Sequence, residues 1–233
     1  MVDYLNFETY LFLSPRKFFI SVNTDTNKKI YEKEYTLDHD TSDLDLITLD
    51  DFLNENIFKI EKILKNFVTS INLIIDSSEF FSIKLSVKKN NYGQLVKYEN
   101  LNYILNEARD QCSQSLYGNK IIHILIDNYL IDKKNYPFLP DNIKCNYLTL
   151  DTNFICLPYS FIKNIENKVN KYQISVSKIL SMSYMKTLFP DENIDIAYRA
   201  KQITEGCNQN EVVLSVKKSK NIGFFERFFN YFS

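Results

Sequence analysis

Before its first helical pattern the chain alternates in short runs: Tyr10 to Leu13, Phe18 to Val22 and Lys29 to Tyr35, broken at Ser14-Pro15 and at the polar stretch Asn23 to Asn27. Runs of this length, rich in aromatic and β-branched residues and bounded by turn formers, read as strands. Three in succession read as a meander. Residues 38 to 45 are an acidic loop whose carboxylates lack the Gly-centred spacing of a calcium loop. Thr48 with Asp51 then reads as a capping pair, and Leu53, Ile57, Ile60, Leu64 and Phe67 recur at helical spacing. With the buried run Ile71 to Ile75, the opening third has the order β-β-β-α-β, which calls for a mixed α/β fold (α/β or α+β).

After Ser77-Ser78 a second unit starts. Phe81 to Val87 alternates like a half-exposed strand, and Asn90 to Gly93 supplies turn chemistry. Leu101, Ile104, Leu105, Ala108 and Cys112 give a helix from near Asn100. Ile121 to Ile126 and Asn146 to Ile155 are strands separated by a proline-bearing loop, so the order here is strand, helix, strand, strand. Beyond Pro158 come a helix carrying Phe161, Ile162, Ile165 and Val169, a strand from Gln173 to Ser177, and a short helix from Met182 to Phe189. Residues 190–221 are mostly polar and read as a linker with local structure, in which a short helix near Ile196 to Glu205 and a strand-like Val212 to Val216 can form.

Glycine is the most restrictive count. Phosphate-binding loops need glycines close together so that successive N–H groups can approach the phosphates. This chain has four in 233 residues, Gly93, Gly118, Gly206 and Gly223, and no two are near enough to make such a loop. Binding of ATP or a dinucleotide by a common loop is excluded, and no cofactor is expected. A net charge of −1 speaks against a nucleic-acid binder, which needs a basic face. The cysteines, 112, 145, 156 and 207, form no C-x-x-C pair, and with two histidines no structural zinc or other metal site is expected. The start Met1 to Asn6 carries no secretory signal, which predicts a cytosolic protein with reduced thiols.

The last twelve residues are amphipathic. On a helix, Phe224, Phe225, Phe228, Phe229, Tyr231 and Phe232 share one side, and Glu226, Arg227, Asn230 and Ser233 the other. Lys217, Lys218 and Lys220 precede this face, and Arg227 lies on its polar side. Such a helix is too short to span a bilayer. It suits an anionic membrane interface, where each buried phenylalanine contributes up to about 1.5–3 kcal/mol and each basic residue roughly 1 kcal/mol. The same face also suits a protein groove; the basic cluster favours lipid.

No catalytic constellation emerges, so an enzyme is not expected. His123 within an apolar strand reads as a hydrogen-bonded structural histidine rather than a base. Cys112 with His123 would make a nucleophile pair, but no orienting third group can be placed. Asp127, Asp132 and Asp141 belong to turn-forming stretches.

The middle unit resembles the FtsA family of bacterial cell-division proteins. That family carries H-x-x-P-x-x-Y-x-x-D followed by P-x-G-x-x-G and a strand. His123, Tyr129, Asp132 and Pro140 match at the family spacing, while Ile126 stands for its first proline and Asn142 and Cys145 for its two glycines. The resemblance implies an actin-like (ribonuclease-H-like) lobe formed by residues 1–76 and 158–189. It also implies an inserted strand-helix-strand-strand domain over 77–157, a linker over 190–221 and a membrane-targeting amphipathic helix over 222–233. The family's phosphate motif D-x-G-T-x-K, aligned on Lys17, is replaced by Phe12, Ser14 and Pro15. The second lobe has no room between Phe189 and the tail, which puts contact with FtsZ in doubt. What the resemblance implies is a non-enzymatic division adaptor, peripheral on the cytoplasmic side of the inner membrane. Its partners would be FtsA-like neighbours or late divisome proteins and the anionic membrane surface. The alternatives are an actin-like ATPase with an unorthodox pocket and a scaffold of a pilus or secretion assembly from the same actin-like group.

Overall fold

The computed structural model describes residues 6–37, 43–191 and 193–212. Three antiparallel strands open the chain: β1 (Phe7–Ser14), β2 (Lys17–Thr24) and β3 (Lys29–Thr36). Helix α1 (Leu46–Leu64) follows, then β4 (Ser70–Ile75), which runs parallel to β1 with Leu11 beside Leu73. Next come β5 (Phe81–Leu95), α2 (Tyr98–Ser115), β6 (Asn119–Ile131), β7 (Lys134–Tyr136) and β8 (Lys144–Pro158). After these α3 (Tyr159–Asn170) leads to β9 (Ser175–Ser181), and α4 (Met182–Leu188) and α5 (Ile196–Thr204) complete the described chain.

The first sheet has the order β3-β2-β1-β4-β9, with β4 and β9 parallel to β1 and the opening hairpins antiparallel. This order and sense are those of an actin-like lobe. Both faces are covered, which is why β1, β2 and β4 are apolar almost throughout rather than alternating. Leu11, Leu13, Ile20 and Leu73 lie under Leu49, Leu53 and Ile60 of α1 and Ile162, Ile165 and Val169 of α3. Tyr10, Phe12, Phe19 and Ile74 face the other way, under Met182 and Met185 of α4 and Ala197, Ala200 and Ile203 of α5.

The second sheet, β5-β8-β6-β7, is antiparallel and has its own core, in which Leu101, Ile104 and Ala108 of α2 meet Leu148, Leu150 and Phe154 of β8. Helix α2 covers one face, and over β5 the other is open among the described residues. Accordingly β5 alternates between partly buried and exposed residues over most of its length. This sheet enters the sequence between β4 and α3, and β8 passes straight into α3 with Pro158 as its N-cap residue.

Several local expectations are corrected. Asp45, not Thr48, caps α1: its Oδ1 accepts from the backbone N–H of Ile47 and Thr48 at 3.0 Å, and its Oδ2 from the Thr48 hydroxyl at 2.7 Å. The helix ends at Lys65 with φ 52°, so Phe67 falls beyond it and is 74% exposed, while Val68 turns inward. The turn read at Asn90 to Gly93 is a bulge inside β5. Tyr92 and Gly93 take φ of 51° and 72° there, and pairing with β8 resumes at Gln94. Strand β9 begins two residues later than predicted, because the apolar Ile179-Leu180 belongs inside it, with Leu180 beside Ile74.

Residues 193–212 are not a linker. Ala197, Ala200 and Ile203 of α5 are buried on the first sheet, and Lys201 Nζ donates to the carbonyl of Asp25 in the β2–β3 turn. The two alanines give a weak hydrophobic signal, which is why the stretch reads as polar. Asp195 caps this helix, accepting from the N–H of Ala197 and Tyr198 at 2.9 and 3.0 Å.

Candidate functional site

The β1–β2 connection is a tight two-residue turn in which Ser14 pairs with Lys17. The Ser14 hydroxyl donates to the Lys17 carbonyl at 3.1 Å, closing the turn on itself. Phe12 sits opposite Phe19, and both rings are buried against the α4–α5 side. Where the resemblance would place a phosphate-holding loop and an aspartate, this chain has a proline without an N–H and an aromatic core residue.

His123 of β6 lies at the seam between the two sheets. Its Nε2 accepts the backbone N–H of Ser181 at 3.1 Å, and its Nδ1 stands 2.8 Å from Glu211 Oε1. An accepting Nε2 fixes the neutral tautomer, with the proton on Nδ1 donated to Glu211. Tyr184 of α4 donates its hydroxyl to Glu211 Oε2 at 2.8 Å and accepts from Asn208 Nδ2 at 2.9 Å, while its ring lies 4.6 Å from the imidazole, centroid to centroid. Burial, with the Glu211 carboxylate adding to it, pushes the Tyr184 phenol up. This network joins β6, the end of β9, α4 and the segment 208–212. Both imidazole nitrogens are used structurally, and neither faces Cys112. That thiol is buried beside Cys156, where loss of solvent pushes Cys112 up and Cys156 up to about 12. The nucleophile pair is therefore absent.

Tyr129 is buried in the second core and pairs with Tyr136. Asp132 and Lys133 form the β6–β7 turn with φ of 45° and 73°. The Asp132 carboxylate accepts from the N–H of Asn146 at 2.9 and 3.1 Å and of Tyr147 at 2.8 Å, fastening the turn to the start of β8. Pro140 lies half-buried in the loop before β8. Asn142 takes φ 53°, the left-handed conformation that a glycine would supply and that asparagine tolerates. Ile126 donates its N–H to the Asn210 carbonyl at 2.8 Å, a bond that a proline would forbid. These motif residues hold the insert's turns and edges, and His123 and Ile126 tie it to the later chain. No local pattern marks Tyr184, Asn208 and Glu211 as the residues that complete the His123 site.

Residues 120–124 of β6 and 176–180 of β9 face each other across a groove of about 340 Å3, floored in part by Ile203, Glu211 and Val212. Strand β9 ends its sheet, and the near side of β6 is met only at Ile124 to Ile126 by residues 210–212 and at Tyr129 to Ile131 by β7, among the described residues. The groove thus runs between two strand edges, a geometry that suits an extended peptide.

Among the described residues no cluster of three or more His, Cys, Asp or Glu can hold a metal, and no helix is long and apolar enough to cross a membrane. Lys217, Lys218, Lys220, Phe224, Phe225, Arg227, Phe228, Phe229 and Phe232 lie outside the described residues.

No family model matches the chain. A curated protein named as a RING finger protein of Plasmodium falciparum is 24% identical over 219 residues, covering 86% of this chain and 16% of that protein. The chain thus spans about a sixth of that relative's length, and its four cysteines lack the paired spacing of a RING zinc site. Two solved structures are similar. The PilM-PilN type IV pilus biogenesis complex is 5% identical with a TM-score of 0.46, covering 78% of this chain and 49% of that one. The cytoplasmic domain of EpsL, an inner-membrane component of the type II secretion system of Vibrio cholerae, is 13% identical with a TM-score of 0.35, covering 76% and 56%. The actin-like character of the lobe rests on its strand order and sense.

Proposed function

We propose that this chain is a non-enzymatic adaptor of a membrane-associated assembly, built on one actin-like lobe. The observation that carries this reading is the β1–β2 turn. A lobe of this kind hydrolyses nucleotide only if its first hairpin offers backbone N–H groups to phosphate, and here Ser14 and Pro15 close the turn while Phe12 fills the core. With the phosphate seat gone, what remains useful is surface. The groove between β6 and β9 offers strand edges unpaired among the described residues to an extended segment of another protein, and the last twelve residues are suited to an anionic membrane interface.

In this reading, which follows the FtsA resemblance, the partners are division proteins and the second sheet is the contacting domain. The alternative setting is a scaffold of a pilus or secretion assembly. Co-purification from the native cell, with crosslinking, separates the two by the identity of the captured component. Recovery of the chain without any component of a membrane-associated assembly overturns the reading. Liposome flotation of the whole chain and of a version ending at Asn221 tests the tether. Flotation of the whole chain alone, strengthened by anionic lipid, supports it; flotation of neither places the phenylalanine face on protein.

A further inference from the structure

Arg199 of α5 is only 5% exposed, and its Nε and Nη1 are buried without a hydrogen-bond partner. A buried guanidinium cannot shed its charge, so an unpaired one is strongly unfavourable until an anion meets it. The side chain lines a cavity of about 410 Å3, within the range of small-molecule sites, between the β1–β2–β3 side of the first sheet and α4–α5. Phe12, Phe19, Met182, Ile194 and Ile196 give that cavity apolar walls.

The other charges there are already engaged. Glu34 pairs with Lys17 at 2.7 Å, Glu32 and Asp195 share Lys29, the latter at 3.1 Å, and Lys186 lies 3.5 Å from Asp76. One guanidinium is left over beside carboxylates that lysines already pair. One leftover positive charge is balanced by one negative charge, and an edge of the planar guanidinium matches a carboxylate. We propose that this cavity binds a small monoanionic carboxylate with an apolar body, its acid group on Arg199 and its body against Phe12, Phe19 and Met182. The site is independent of the adaptor reading, and its occupancy is a separate property of the lobe.

The test is thermal unfolding of the full chain with hexanoate as probe against sodium chloride at equal ionic strength. Hexanoate raises the Tm saturably, by roughly 3–8 °C at ~10–100 times Kd. Arg199→Met removes that rise while melting no lower than the wild type without ligand, because an apolar chain of similar length replaces an unpaired buried charge. Arg199→Lys keeps the charge and loses the fork, and weakens the midpoint about tenfold. No rise in the wild type, or the same rise in Arg199→Met, overturns the proposal. A rise with inorganic phosphate but not with hexanoate overturns the carboxylate assignment.

Discussion

His123 and Glu211, 88 positions apart, meet at 2.8 Å in a site where both side chains are almost fully buried. Glu211 thereby takes two donors, the imidazole Nδ1–H and the Tyr184 hydroxyl, and holds segment 208–212 against β6. Glu211→Ala strips both donors of their acceptor and costs about 2–4 kcal/mol. Urea denaturation reads it as a lower midpoint at unchanged slope. A loss within 0.5 kcal/mol would mean that water replaces the carboxylate.

Helix α5 behaves as core. Ile203→Ala lowers stability by about 2–4 kcal/mol, whereas Tyr198→Ala, on the open side of the same helix, changes it by less than about 0.5 kcal/mol. Equal small effects in thermal melts would return residues 193–212 to the status of a linker.

Asp50 of α1 is clamped by Lys171 at 2.5 Å and Lys168 at 3.4 Å. The hydrogen bond from Lys171, then that from Lys168, holds its carboxyl below the usual carboxylate range. The folded value lies below the unfolded one, so the contribution is complete above the unfolded value and disappears as pH falls through the folded one. Wild-type Tm therefore falls more steeply than that of Asp50→Asn from about pH 5 downwards. Parallel profiles would show that the clamp contributes nothing.

Of the four cysteines, Cys207 is exposed and the other three are buried. Burial raises every one of these thiols, Cys156 furthest, so little thiolate forms near neutral pH. Titration with a disulfide reagent at pH 8 labels Cys207 slowly in the native chain and the other three only on unfolding. Prompt labelling of a second cysteine would show that the α2–β8 core opens locally.

Mg-ATP leaves the Tm unchanged, since the Ser14-Pro15 turn presents no phosphate-binding N–H pair. A saturable rise of several degrees would reinstate the nucleotide.

The strands of the first sheet were legible because Tyr10 to Leu13 and Phe18 to Val22 are dense apolar runs cut by proline and polar turns. The start of α1 was not, since Asp45 is one carboxylate in an acidic loop and only its side-chain bonds single it out. Helix α5 was readable as a short helix near Ile196 to Glu205, but its alanines, which pack closely while registering faintly as apolar, hid that it belongs to the core. Of the candidate site, His123 was readable as a structural histidine from its apolar strand. Its partners Ser181, Tyr184 and Glu211 arrive from elements up to 88 residues away, and no local period links them. Arg199 looks from the sequence like any surface arginine; only the sheet beneath it shows that it is buried beside a cavity.

Strand β8 carries both neighbours of its own sheet, β5 and β6, and turns into α3 at Pro158 with no loop between. Strand and helix follow without a break, the helix anchored in the lobe by Ile162, Ile165 and Val169 and the strand paired in the insert along most of its length. A load applied to the second sheet has no slack segment to stretch at this crossing. It passes through α3 directly to the first core.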